Sequence, residues 1–344
     1  MAEQKPAIPG AGGMIISRAV LAGRHQARWL FRQEAPYGNG WVCLGDGEDD
    51  NYVNNAANMT VVDFNRLVEL EPAAYNVFHM PVGTELELRE LPEGRFFVDV
   101  NTGEPVRERV PHPMEEAFAR NLQFLNKESY PAAFFRGYEG LWQRLGAADF
   151  PTGEVVLADP LAYLGTKYET RLERWLAPGH YPVEAAVLLT RYGGLRCAAA
   201  RLVLSERQAV CWEIAMDKGH KPEDLGKPGV FSFFGVDTGL GCFADGAVAS
   251  EYGDFARHWR ETNSEQNIYD DYFAERFAES YKAWPEIQRQ GGDYLAWQLP
   301  GSGNRLVMFA SGMGDGVYSG YWGLDGQGEP VELIVPFMNP EFFV

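Results

Sequence analysis

The chain has 344 residues with 30 Lys and Arg against 48 Asp and Glu, a formal net charge of −18 that is shared by both halves. Its length points to about two domains of roughly 150 residues each, and 46% hydrophobic with 13% aromatic residues is enough for packed cores, which excludes a disordered chain. A field of this sign repels phosphates and anionic lipid and attracts basic partners, so direct nucleic-acid binding is excluded.

Residues 1–13 are rich in Pro, Gly and Ala and read as a loose arm. An ordered unit opens at 15–20, and 27–32 alternates as a strand. The Pro36-Tyr37-Gly38-Asn39-Gly40 turn then leads into a hairpin partner at 41–44. Residues 45–55 form an acidic loop. Val61, Val62, Phe64, Leu67, Val68 and Leu70 are spaced for a helix over 60–70, which Pro72 stops. Strands at 81–88 and 95–100 close a small α+β module spanning 14–100. The segment 101–150 reads as a helical connector, with apolar helical spacing from Pro113 to about Gly146 and a break at Pro131.

Beyond the Pro151-Thr152-Gly153 turn the chain becomes strand-rich. Strands are expected at 154–158, 181–190, 195–204, 209–216 and 230–236. A helical insertion follows at 254–289, and then strands at 294–298, 305–311, 317–322 and 331–336. Asp325-Gly326-Gln327-Gly328 supplies a hairpin turn, and no internal repeat is evident. The expected fold class is α+β: the small module, then a larger, mainly antiparallel β domain with inserted helices over 151–344.

Asp237, Asp245 and Asp315 each sit in a glycine-rich turn after an apolar stretch, and Tyr318 follows the third. Carboxylate oxygens suit Mg²⁺, Ca²⁺ or Mn²⁺, so convergence of the three would make a metal-assisted hydrolase. Asp-Gly pairs are also ordinary turn formers, and the spacing is not that of a calcium loop. On the turn reading, each carboxylate accepts backbone N–H bonds from the residues just after it. No CxxC spacing, paired histidine motif, phosphate-binding loop or nucleophile elbow occurs, so no cofactor or bound metal is expected. Cys197, Cys211 and Cys242 read as small buried hydrophobes. With neither a signal-peptide pattern nor an apolar run of ~18 residues, the expectation is a cytoplasmic protein without membrane contact.

The acidic loop is the second candidate. Asp46, Glu48, Asp49 and Asp50 offer a contact surface for a basic partner, with Trp41 and Tyr52 as aromatic anchors. The plainer reading is a solvated loop beside a core tryptophan, since tryptophan on a hairpin strand normally packs inward.

Several words in the first module, Ser17-Arg18-Ala19-Val20-Leu21, Trp29-Leu30-Phe31-Arg32-Gln33-Glu34, Gly40-Trp41, the acidic run 45–52 and Pro81-Val82-Gly83-Thr84, resemble a small bacterial family counted among the immunity proteins of polymorphic toxin systems. Gln33 stands where that family often has an acid. The second half is similar to another bacterial family of unknown function. It carries Asp159-Pro160, the words at 178–183, 196–201 and 212–215, then G-V-D-x-G-x-G-C-F-x-D at 235–245 and S-G-x-G-D-G-x-Y at 311–318. Together these resemblances imply a bacterial cytosolic, antitoxin-like immunity factor. The acidic charge adds that the cognate toxin it binds and neutralises is basic, so the expectation is a binding protein and not an enzyme, with the metal-assisted hydrolase as the alternative. The resemblances carry over no catalytic residue.

Overall fold

A computed structural model describes residues 7–230 and 232–344. The loose-arm reading of 1–13 therefore falls partly outside the described residues, as does Phe231 within the strand expected at 230–236. The chain divides into two compact units, 1–115 and 116–344.

The first unit is built on a six-stranded sheet. Its strands are β1 (Gly13–Ser17), β2 (Ala27–Arg32), β3 (Trp41–Gly45), β4 (Met59–Asp63), β5 (Glu85–Leu91) and β6 (Gly94–Asp99), in the order β4-β1-β3-β2-β5-β6. β1 and β3 are parallel and every other pair is antiparallel. One face carries Met14, Ile16, Leu30, Trp41, Cys43, Leu86, Leu88 and Phe97 into a core. Two helices close it: α3 (Phe64–Leu70) supplies Phe64 and Leu67, and α4 (Ala74–Val77) supplies Ala74 and Val77. Two single turns, α1 (Arg18–Leu21) and α2 (Asp50–Val53), lie on the connections.

The helix expected over 60–70 is half strand. Thr60, Val61 and Val62 are β-branched and pair with β1, Val61 opposite Ile15. Asp63 then starts the helix, its carboxylate accepting the Asn65 N–H at 2.9 Å.

The second unit is a four-layer α-β-β-α arrangement. The first sheet runs β12-β18-β19-β11-β10-β7, from β7 (Trp142–Phe150), β10 (Gly179–Leu189), β11 (Leu195–Val203), β12 (Cys211–Ile214), β18 (Tyr321–Leu324) and β19 (Pro330–Pro336). The second runs β15-β16-β14-β8-β9, from β8 (Val155–Ala158), β9 (Thr170–Arg171), β14 (Leu240–Asp245), β15 (Tyr294–Gln298) and β16 (Arg305–Ala310). A short ribbon pairs β13 (Phe234–Val236) with β17 (Gly316–Tyr318). All of these pairings are antiparallel.

Between the sheets Leu157, Phe243, Val307 and Phe309 meet Val183, Ala200, Leu202, Leu333 and Val335. The opposite face of the second sheet, Val156, Cys242, Leu295, Trp297, Leu306 and Met308, packs under α7 (Gly246–Thr262) and α8 (Ala274–Ala283), which a π-helical turn at Tyr269–Phe273 joins. The outer face of the first sheet is covered by α5 (Pro113–Phe124) and α6 (Ala132–Arg136). Phe135 stacks on Trp212 at 4.8 Å, and the Asn121 amide donates to the Phe337 carbonyl at 2.8 Å.

The helical pattern expected as far as Gly146 stops at Arg136. Trp142 to Phe150 is a strand in which Gly146 opposes Val183 and Arg144 opposes Glu184, so Leu145 is an unpaired bulge residue. That bulge sets Trp142 and Leu145 three apart and imitates a helical period. The strand expected at 317–322 is also two, since the chain changes sheet at Ser319-Gly320.

Candidate functional site

The acidic turn of the first unit grows out of the end of β3. His25 Nδ1 bonds the Asp46 carbonyl, and the Asp46 carboxylate accepts the Gln26 N–H at 2.8 Å. Glu48 folds back, accepting the Ser17 hydroxyl and the Gly45 N–H (2.8 Å). Asp49 caps α2 through the Tyr52 N–H at 2.9 Å. Asp46, Asp49 and Asp50 are exposed, whereas Glu48 and Tyr52 are half-buried. Three carboxylates thus face solvent on a turn whose backbone is held, and the fourth ties the turn down.

Trp41 is not on this surface. It is 0% exposed, its indole N–H donates to the Phe78 carbonyl at 3.0 Å, and the Arg32 guanidinium lies 5.6 Å over its ring. The anchor role given to Trp41 is therefore corrected: strand alternation puts it in the core. The aromatic on the helix-free face is Trp29, 42% exposed and opposite Leu44 and Glu87. It shares that face with the exposed Ile15 and Val61. Sequence reading passed over Trp29; the signal was its position next to Leu30, because neighbours on a strand face opposite ways.

In the second unit the three glycine-flanked aspartates do not converge. Asp237 lies in the turn before β14 and Asp245 ends it, so the strand, roughly 17 Å long, lies between them. Asp237 and Asp315 lie across from each other just past the β13–β17 ribbon, both exposed. Asp237 accepts the Tyr163 hydroxyl, which pushes that phenol above its ordinary value. Among the described residues no group of three or more His, Cys, Asp or Glu is placed to hold a metal ion.

Nor do these carboxylates all cap their own turns. The 311–316 turn is held by the hydroxyls of Ser311 and Tyr318, which donate to the Gly314 carbonyl at 2.7 and 2.8 Å, and Tyr318 is wholly buried. The 237–239 turn is held by Asp159, which sequence reading left unassigned. Its fully buried carboxylate accepts the N–H groups of Asp237 (2.9 Å) and Thr238 (2.7 Å), the Thr238 hydroxyl (2.7 Å), and the N–H groups of Leu161 and Ala162.

Asp245 is the counterpart of Asp159. Also fully buried, it accepts the Thr152 N–H (2.9 Å) and hydroxyl (2.8 Å) and the Gly153 N–H (2.7 Å), and caps α7 through Ala247. The sequence behind this is a repeat, T-G-x-x-x-x-A-D at 152–159 and again at 238–245. β8 and β14 pair antiparallel, so each word's aspartate grips the other word's Thr-Gly turn, with both glycines in left-handed backbone (φ 86° and 68°). The expectation of no internal repeat is corrected here: four identities in an eight-residue word become a repeat only once β8 and β14 pair and bring the two words together. Gly246, just after the second word, is also closely approached. A Cβ there would stand 2.1 Å from Glu154 Oε2, a carboxylate already paired with Arg171 and Lys218.

Cys43, Cys197 and Cys242 are buried, and burial pushes each thiol above its ordinary value, the wrong direction for a nucleophile. Cys211 is exposed, contrary to its expected burial. No helix among the described residues is long and apolar enough to cross a membrane.

Comparison with known families gives two matches. Residues 14–97 match the Immunity protein Imm33 domain, and residues 148–335 match Protein of unknown function (DUF4241). Searches of curated proteins and of solved structures gave no match. With over half its length inside the second match, the chain belongs to the DUF4241 family, and it carries an Imm33 immunity-protein domain ahead of that region.

Proposed function

We propose that this protein is a cytoplasmic immunity factor that binds and neutralises a cognate basic protein toxin and has no catalytic role of its own. The observation that carries the reading is the solvent-facing carboxylate set Asp46, Asp49 and Asp50, held on a backbone-tied turn within the immunity-protein domain, which also exposes Trp29 opposite Leu44 of β3. Fixed negative charge draws a basic enzyme in quickly and blocks a phosphate-binding cleft, while an exposed aromatic supplies the area that slows its escape. The 14–100 module makes this contact, and the 151–344 domain serves a separate purpose.

The test is co-expression with the product of the adjacent gene, followed by association kinetics of the purified pair. The chain should rescue growth. Asp46→Asn, Asp49→Asn and Asp50→Asn combined should slow association several-fold at low salt and flatten its salt dependence, with the asparagines retaining the turn bonds. Trp29→Ala should speed dissociation instead. Rescue and kinetics unchanged in all of these variants would overturn the reading.

A further inference from the structure

In the second unit, β15 is the last strand of its sheet. The Ala310 N–H donates to the Asp293 carbonyl and the Leu299 N–H to the Asn304 carbonyl. On that antiparallel register residues 293, 295, 297 and 299 bond inward, so Tyr294, Ala296 and Gln298 turn their backbone groups outward. At Tyr294 the place of a neighbouring strand is already taken. The Gln288 side-chain carbonyl accepts the N–H groups of Asp293 (2.9 Å) and Tyr294 (3.1 Å). Past Gln288 the edge is open, and Ala296 and Gln298 are exposed.

A groove of about 490 Å³ runs along this edge, walled by Arg276 and Glu279 of α8, Arg144 of β7, and Trp284. Trp284 is 57% exposed, an unusual state for the side chain that most often anchors interfaces. Arg144 is exposed, and Glu184, opposite it in the β7–β10 register, is ion-paired with Arg201. Two arginines against one glutamate make this groove locally positive on a chain of net charge −18. An open, flat edge normally bears blocking devices, because it pairs readily with any extended chain. Here only Gln288 blocks it, at Tyr294, and an exposed aromatic stands beside the remainder at Ala296 and Gln298.

We propose that the β15 edge is a docking site for an extended acidic peptide segment of a partner protein. The segment adds as a further strand through the backbone of Ala296 and Gln298, places carboxylates toward Arg144 and Arg276, and lays an apolar side chain on Trp284. Pairing of two copies of this chain is disfavoured by their like charge. The site lies in the second unit and does not depend on the toxin contact proposed for the first.

The experiment uses the full chain and a fluorescent octapeptide of alternating Glu and Val, read by polarisation. A Lys-Val peptide and a Glu-Val peptide N-methylated at alternate amides serve as the contrasts. The Glu-Val peptide should bind, the Lys-Val peptide at least tenfold more weakly, and the N-methylated form not detectably. Ala296→Pro, which an outward-facing N–H tolerates, should abolish binding. Arg144→Glu and Trp284→Ala should each weaken it about tenfold while growth rescue by the immunity domain is retained. Three results would overturn the proposal: no binding of the Glu-Val peptide to the folded full chain, equal binding of the N-methylated peptide, or sedimentation showing self-association that Trp284→Ala removes. The peptide-side contrast holds even where Ala296→Pro fails to fold.

Discussion

Asp159 and Asp245 give up their water on folding and receive five and four protein donors in exchange. A carboxylate so bound is costly to weaken, because its donors are left without a partner away from solvent. Asp159→Asn should therefore lower stability by about 2–4 kcal/mol, and Thr238→Ala, its partner in the latch, by about 1–2 kcal/mol. Asp237→Asn and Asp315→Asn, at exposed positions, should stay within about 0.5 kcal/mol of the parent. Urea unfolding of the four variants checks this order, and an Asp315 effect equal to that of Asp159 would contradict it. Asp217 belongs to the opposite kind. One of its oxygens is buried without a hydrogen bond, and burial raises its pKa to about 6. The folded state thus favours protonated Asp217: the stabilisation is complete below about pH 4, fades as pH rises through 6, and is absent above. Asp217→Asn, which stays neutral, should raise the melting temperature at pH 8 by on the order of a few degrees. At pH 4 the gain should vanish. A gain of the same size at both values would place the effect outside the ionisation.

At the scale of single elements, β3 and its turn separate packing from surface charge. Trp41→Ala removes a wholly buried indole that touches Phe64, Arg32 and the Phe78 carbonyl, a loss of about 3–5 kcal/mol. Neutralising Asp46, Asp49 and Asp50 should cost less than about 0.5 kcal/mol per position, so the two sets of variants part cleanly in a melting experiment. The same element shows what the sequence could reveal. β15 has the bounds that its alternation predicts, and the hairpin of β2 and β3 follows from its glycine turn, because both are local patterns. Which of Trp29 and Trp41 faces water depends on register across the sheet, a non-local property. Leu145 shows the limit from the other side, where one bulge residue turned a period of two into an apparent helix. Asp159 escaped notice for a third reason, since what it holds, Thr238, lies 79 residues away.

Across the whole molecule, the apolar cores fall into sets that respect the two units: one cluster draws only on residues up to 106, and the other two only on residues from 117 onward. Cooperativity in unfolding follows from shared packing, so separate cores give separate transitions. Calorimetry of the full chain should therefore show two transitions in place of one. Trp41→Ala should move one of them down by roughly 10 °C or more and leave the other where it was. Asp159→Asn should do the reverse, shifting only the transition that Trp41→Ala spares. This crossed pattern distinguishes two cooperative units from a single one with a broad melt, because in a single unit either variant displaces the whole profile. A common shift of all the heat absorbed, caused by each variant alone, would show that the 1–115 and 116–344 units unfold as one body. In that case the contact made by the acidic turn and the docking at the β15 edge would be energetically linked, each partner altering the stability on which the other depends.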